Sequence, residues 1–146
     1  MLVLAIMLCV VQHHAQGEGS YTMARILIID DNVPTRDILR QALERVGHEV
    51  VEASDGRVGI EHQRTRPAEV IITDILMPGQ EGFETIRELR RDFPTTGLIA
   101  MSGGGQIGCA TLLAIAERLG AQCVLQKPFS LRDMLDAVHH LLQRQA

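Results

Sequence analysis

Aromatic side chains are nearly absent from this sequence: its 146 residues include three Phe, one Tyr and no Trp. A core must therefore be built from Ile, Leu, Val, Ala and Met. The scarcity argues against a nucleic-acid surface that stacks bases on aromatic rings. Lysine is scarcer still, because Lys127 is the single Lys among 14 basic residues and the others are all Arg. The net charge is −4 and no basic run occurs, so no phosphate-backbone footprint exists and no direct nucleic-acid partner is expected. The three cysteines, Cys9, Cys109 and Cys123, form neither a CxxC pair nor a disulfide framework. That odd count fits a reducing, cytoplasmic compartment, with Cys109 and Cys123 read as small buried hydrophobes.

A membrane-spanning run is also lacking. The apolar stretch Leu2–Val11 is followed by polar residues and falls short of the ~20 residues a span requires. It has no basic residues before it, and His13-His14-Ala15 makes a poor cleavage site for a secretory signal. Residues 1–22 are read as an upstream extension without a functional role. The alternatives are an apolar segment that packs on the domain or a partner, and an export signal. Residues 23–146 are read as one domain, a size that holds a single core. At 46% hydrophobic and 22% charged, the chain has a globular balance.

From Arg25 onward, short apolar runs alternate with amphipathic stretches. Arg25–Asp30, His48–Ala53, Ala68–Asp74, Gly97–Ser102 and Gln122–Leu125 read as strands. Between them, Pro34 sits where a first helical turn tolerates it, and Ile38, Leu39, Ala42, Leu43 and Val46 recur at helical spacing before Gly47. Asp55 reads as the N-cap of a helix through about Arg66, weakened by Gly56 and Gly59. After a loop over Gly79–Gly82, Phe83, Ile86, Leu89 and Arg90 mark a third helix. Ile107–Leu119 and Leu131–Leu142 read as the fourth and fifth. Five βα units in succession imply an α/β fold, a doubly wound parallel sheet with helices on both faces. In such sheets ligands bind outside the carboxyl ends of the strands.

The residues at those ends carry the chemistry. The first strand closes on Asp30-Asp31, the third on Asp74 and the fourth on Ser102, while Lys127-Pro128 follows the fifth. Three converging carboxylates repel one another, and a hard divalent cation such as Mg²⁺ relieves the repulsion through oxygen ligands. An isolated Asp-Asp pair is more often a solvated loop or a cap. Asp74 and Lys127 at the other strand ends shift the balance to a metal site. In so Arg-biased a chain, a lone Lys suits a compact ammonium paired with one phosphoryl oxygen. Ser102, placed before three glycines, is a plausible donor to an oxyanion.

The set Asp30-Asp31, then Asp74-Ile75-Leu76-Met77-Pro78 with Gly82, then Ser102, then Lys127-Pro128-Phe129 resembles the CheY-like receiver domain of two-component response regulators, over about residues 25 to 143. The resemblance implies a flavodoxin-like sheet of order 2-1-3-4-5. It implies that Asp74 takes a phosphoryl group from a histidine kinase or histidine phosphotransfer protein. It further implies that Asp31, Asp74 and the Leu76 carbonyl ligate Mg²⁺, with Asp30 acting through water. Lys127 would pair with the acyl phosphate, Ser102 would swing to hydrogen-bond it, and the Lys127–Pro128 bond would be cis. Such a domain is a phosphoacceptor, not an enzyme, beyond assisting its own phosphotransfer and dephosphorylation.

One position departs from the pattern. The family usually has Tyr or Phe three residues before the lysine, where this chain has Val124. Coupling to the output face is therefore expected to depend on the Gly103–Gly105 loop. The last helix is expected to end about three residues before the C-terminus, with no output domain after it. Output then falls to contact with a downstream protein, onward phosphotransfer, or a homodimer through the fourth and fifth helices. Three rival readings make different demands on the sequence. An aspartyl-nucleophile phosphatase would carry a second Asp at the position of Leu76. A dinucleotide-binding domain would carry G-x-G-x-x-G in place of Asp31-Asn32-Val33-Pro34. A pseudo-receiver would bind partners without phosphorylation, whereas here every chemical residue is present.

Overall fold

A computed structural model describes residues 22–77, 82–103 and 108–145, apart from the Cys109 side chain. The elements are β1 (Arg25–Ile29), α1 (Val33–Arg45), β2 (Glu49–Ala53), α2 (Gly56–Thr65), β3 (Val70–Asp74), α3 (Gly82–Asp92), β4 (Gly97–Ser102), α4 (Cys109–Leu119), β5 (Cys123–Gln126) and α5 (Leu131–Gln145). All strand pairings are parallel and the order is β2-β1-β3-β4-β5, the doubly wound arrangement expected. Among the described residues, no helix is long and apolar enough to cross a membrane.

The period of two along a strand divides the core. Ile26 and Ile28 of β1, with Val70 and Ile72 of β3, face Leu39 and Leu43 of α1 and Met134, Val138 and Leu141 of α5. Leu27, Ile29 and Ile71 face the other way, against Ile60 of α2, Ile86 and Leu89 of α3, and Leu113 and Ala116 of α4. Side chains of this size each contribute about 1.5–3 kcal/mol when fully buried, so both faces of β1 and β3 are strongly anchored. That anchoring fixes where their carboxyl ends stop.

Several boundaries differ from the sequence expectations, for local reasons. Asp30 lies outside β1, because its side chain accepts the Asn32 N–H at 2.9 Å and starts the turn into α1. His48 precedes β2, turned inward so that its Nδ1 accepts the Ala24 N–H at 3.2 Å. Ala68 and Glu69 precede β3; Ala68 is held through both backbone groups by the buried Gln63 amide. β5 runs one residue later than expected, and α5 continues to Gln145 instead of stopping at Leu142. The described part of α4 begins at Cys109; Ile107, Gly79–Glu81 and Gly104–Gly105 lie outside the described residues.

The two glycines that weakened α2 are explained by packing. A Cβ at Gly56 would overlap the Thr85 side chain of α3, and one at Gly59 would overlap Ile29 of β1. The propensity cost of about 1 kcal/mol each is accepted in exchange for close helix–sheet contact. Asp55 caps α2 as expected, accepting the Val58 N–H at 2.9 Å.

Candidate functional site

The packed sheet delivers four strand ends to one place. Asp30 is fully buried directly after β1, and Asp74 ends β3 with only 5% exposure. Asp31 is exposed beside them, and one carboxylate oxygen from each of the three lies within 4.8 Å of the others. Lys127 reaches in from the end of β5, with Nζ 3.1 Å from Asp30 Oδ2 and 3.4 Å from Asp74 Oδ2. The Lys127–Pro128 peptide is cis. Ser102 is buried at the end of β4, and its carbonyl accepts the Lys127 N–H at 2.8 Å, which ties the ends of β4 and β5 together. Leu76 follows two residues after Asp74 and donates its N–H to Asp74 Oδ1 at 3.3 Å. The structure thus gathers Asp30, Asp31, Asp74, Ser102 and Lys127, with Leu76 on the rim.

The electrostatics follow from burial and charge. Burial pushes the Asp74 carboxyl above its ordinary value, Lys127 opposes the shift, and Asp30 adds to it. Burial alone would lower the Lys127 ammonium, but Asp74 and Asp30 outweigh it and hold the group above its ordinary value. When ionised, three carboxylates face one ammonium and leave a surplus of negative charge. A hard dication with oxygen ligands matches that surplus and that donor set. The exposed flank at Asp31 leaves room for the waters Mg²⁺ retains.

Of three further neighbours of the site, only the first carries a signal in the sequence. Asn32 caps α1, its side-chain oxygen accepting the Thr35 N–H at 2.9 Å, and so starts a helix immediately beside the acidic pair. Arg36 donates to the Asp30 carbonyl, and Glu52 of β2 holds Arg36. The Asn-x-Pro spacing before an apolar repeat could have revealed the cap. Arg36 and Glu52 are 16 positions apart and carry no local signal. Val124 is buried in β5 within the α2–α3–α4 side of the core, paired in register with Ala100. Of the expected glycine loop, only Gly103 is described, and a Cβ there would rest against the Lys127 stem.

Comparison with known proteins agrees with this geometry. The family model of the response regulator receiver domain matches residues 26–139. PilH of Pseudomonas aeruginosa is 34% identical over 122 residues, covering 82% of this chain and 98% of PilH. A probable transcriptional regulatory protein of Picosynechococcus sp. is 32% identical over 131 residues, 85% of this chain, which spans about half (51%) of that longer relative. The crystal structure of a CheY-like receiver domain protein from Methanospirillum hungatei superposes with a TM-score of 0.78 at 27% identity, covering 85% of this chain and 97% of that one. A receiver domain from Clostridium thermocellum gives 0.77 at 29%, covering 84% and 96%. The chain belongs to the response regulator receiver domain family. Domains of this family are phosphoacceptor modules of two-component signalling and typically bind Mg²⁺ at an acidic cluster such as the one found here.

Proposed function

We propose that Asp74 is the phosphoacceptor of this chain, receiving a phosphoryl group from the phosphohistidine of a histidine kinase or histidine phosphotransfer protein in the cytoplasm. The observation that carries this reading is the Asp74 carboxylate at the end of the central strand, clustered with two other carboxylates and 3.4 Å from the only lysine. An Asp74 oxygen attacks phosphorus, the P–N bond breaks and its electron pair returns to the imidazole of the donor. The product is an acyl phosphate. Such a transfer needs positioning and charge neutralisation more than covalent assistance.

Asp31, Asp74 and the Leu76 carbonyl would hold Mg²⁺, with Asp30 acting through water. The bound ion supplies positive charge to the phosphoryl oxygens. Lys127, already held at the site by Asp30 and Asp74, is a second positive group. Ser102, at the end of β4, would donate its hydroxyl to a phosphoryl oxygen. Residues 23–146 form the receiver unit in this reading and residues 1–22 an extension. Output passes by protein contact or onward phosphotransfer. The α4–β5–α5 face, on which Ile115 is partly exposed, is the surface offered to a target or a second copy. With Val124 in place of an aromatic ring, that face is coupled to the site through the β4–α4 connection that starts at Gly103.

Incubation with a small phosphodonor and Mg²⁺, followed by intact mass, tests the assignment. One added phosphoryl group is expected on the wild type and none on Asp74→Asn. Equal labelling of both proteins would refute it.

A further inference from the structure

Every polar group of Asp30 has its own partner. The N–H donates to the Ala53 carbonyl at 3.1 Å, Oδ1 accepts from the Asn32 N–H at 2.9 Å, and Oδ2 meets Lys127 at 3.1 Å. The carbonyl oxygen accepts from Arg36 Nη1 at 2.7 Å, a short charge-assisted bond. Arg36 is itself anchored: its Nε lies 3.2 Å from Glu52 Oε1, and the other Glu52 oxygen is 3.3 Å from Arg40 Nε. The Arg36 side chain is 15% exposed, unlike the freely solvated arginines of an ordinary surface pair.

The Asp30 carbonyl belongs to the planar peptide that joins Asp30 to Asp31. Fixing that oxygen fixes the amide nitrogen and Cα of Asp31, and with them the direction from which the Asp31 carboxylate leaves the chain. We propose that Arg36 is a positioning residue for the acidic pair: braced by Glu52, it locks the Asp30–Asp31 peptide so that Asp31 is presented to the cation. This rests on the reading of the acidic cluster as a Mg²⁺ site. Two effects of Arg36 oppose each other. Its charge alone would disfavour a nearby cation, while its hydrogen bond preorganises the ligand. Glu52 pairs with the guanidinium and offsets the first effect, so the geometric one prevails. An outer partner of this kind typically changes metal affinity by about tenfold or more.

Titration of the metal-free full chain with MgCl₂ by calorimetry, alongside amide NMR spectra and melting curves, tests this. Arg36→Ala should weaken Mg²⁺ binding about tenfold and shift the Asp31 and Asn32 amides in the metal-free protein. Arg36→Lys should fall between, since an ammonium lacks the fork that spans both the carbonyl and Glu52. Glu52→Gln keeps an acceptor and should weaken binding less than Arg36→Ala. A lower melting temperature with Mg²⁺ affinity within about twofold of wild type, on the scale of that expectation, would show a merely structural role and overturn the proposal. If Arg36→Ala does not fold, unchanged affinity in both Arg36→Lys and Glu52→Gln overturns it equally. Absence of Mg²⁺ binding by the wild type would instead strike down the metal-site reading itself, and the proposal with it.

Discussion

The two ends of the same sheet treat charge in opposite ways. At the amino ends, Arg25 pairs with Glu49 at 3.1 Å and Arg66 reaches the same carboxylate at 2.9 Å. The Arg25 N–H donates to Glu69 at 2.6 Å, Gln145 donates to the Glu69 carbonyl at 2.9 Å, and the Ala24 N–H ends on His48. Each charge or dipole there meets a local complement. At the carboxyl ends, Asp30, Asp31 and Asp74 cluster together, and among the described residues their carboxylates meet one ammonium, that of Lys127, which reaches Asp30 and Asp74. The same strands thus run from a closed, balanced edge to an open edge with surplus negative charge. An edge that remains unbalanced when metal-free is one prepared for a ligand that supplies the missing charge.

The contrast can be broken most forcefully at Lys127. Lys127→Met leaves buried carboxylates without their ammonium. It should destabilise the metal-free protein by about 2 kcal/mol, less than for a fully buried pair because the Lys side chain is 26% exposed. Urea unfolding measures this, and added Mg²⁺ should recover much of the loss. A variant as stable as wild type without Mg²⁺ would mean the open edge is not under electrostatic load.

Asp74→Asn should act in the opposite direction. Because burial holds the folded-state carboxyl above the ordinary 3.8, its favourable contribution is full below that value and is lost as pH rises through the folded value. At neutral pH the ionised group opposes folding, so the Asn variant should unfold at higher urea concentration without Mg²⁺. The gain should shrink near pH 3.5. A lower midpoint at pH 7 would contradict it.

At the balanced edge effects should be small and indifferent to Mg²⁺. Arg25→Ala removes a pair whose Glu49 partner is 39% exposed and should cost about 0.5 kcal/mol. A Mg²⁺-dependent loss there would erase the distinction between the edges. The subtlest effect belongs to His48. Burial, with His139 adding to it and Glu69 opposing, holds its imidazole below the ordinary 6.5. The unfolded chain therefore takes up the proton first, and stability is full above 6.5 and declines as pH falls below it. The difference in stability between wild type and His48→Asn should narrow from pH 7.5 to pH 5. A constant difference would show that His48 does not titrate against folding.

The open edge was far more legible in the sequence than the balanced one. Strand ends are marked by abrupt changes from apolar runs to Asp30-Asp31, Asp74 and Ser102, and the doubly wound rule places them together. The solitary Lys127 was conspicuous by composition. The balanced edge is built from Arg, Glu, His and Gln, which recur throughout the chain, so pairs such as Arg25–Glu49 or Gln63 with Ala68 carry no signal until the fold exists. Arg36 was hidden for the same reason: among 13 arginines, only its contacts with Asp30 and Glu52 set it apart. Gly56 and Gly59 lower the helix propensity of α2, while the close approach of Thr85 and Ile29 that calls for them is visible only in the fold.

Residue-resolved trapping tests the central proposal most directly. Borohydride reduction of the protein after treatment with a phosphodonor and Mg²⁺ converts a phosphorylated aspartate to homoserine, which peptide mass mapping locates. Homoserine is expected at position 74 alone, and only when Mg²⁺ was present. Homoserine at position 30 or 31, or none at any position from a protein that binds Mg²⁺, would contradict it.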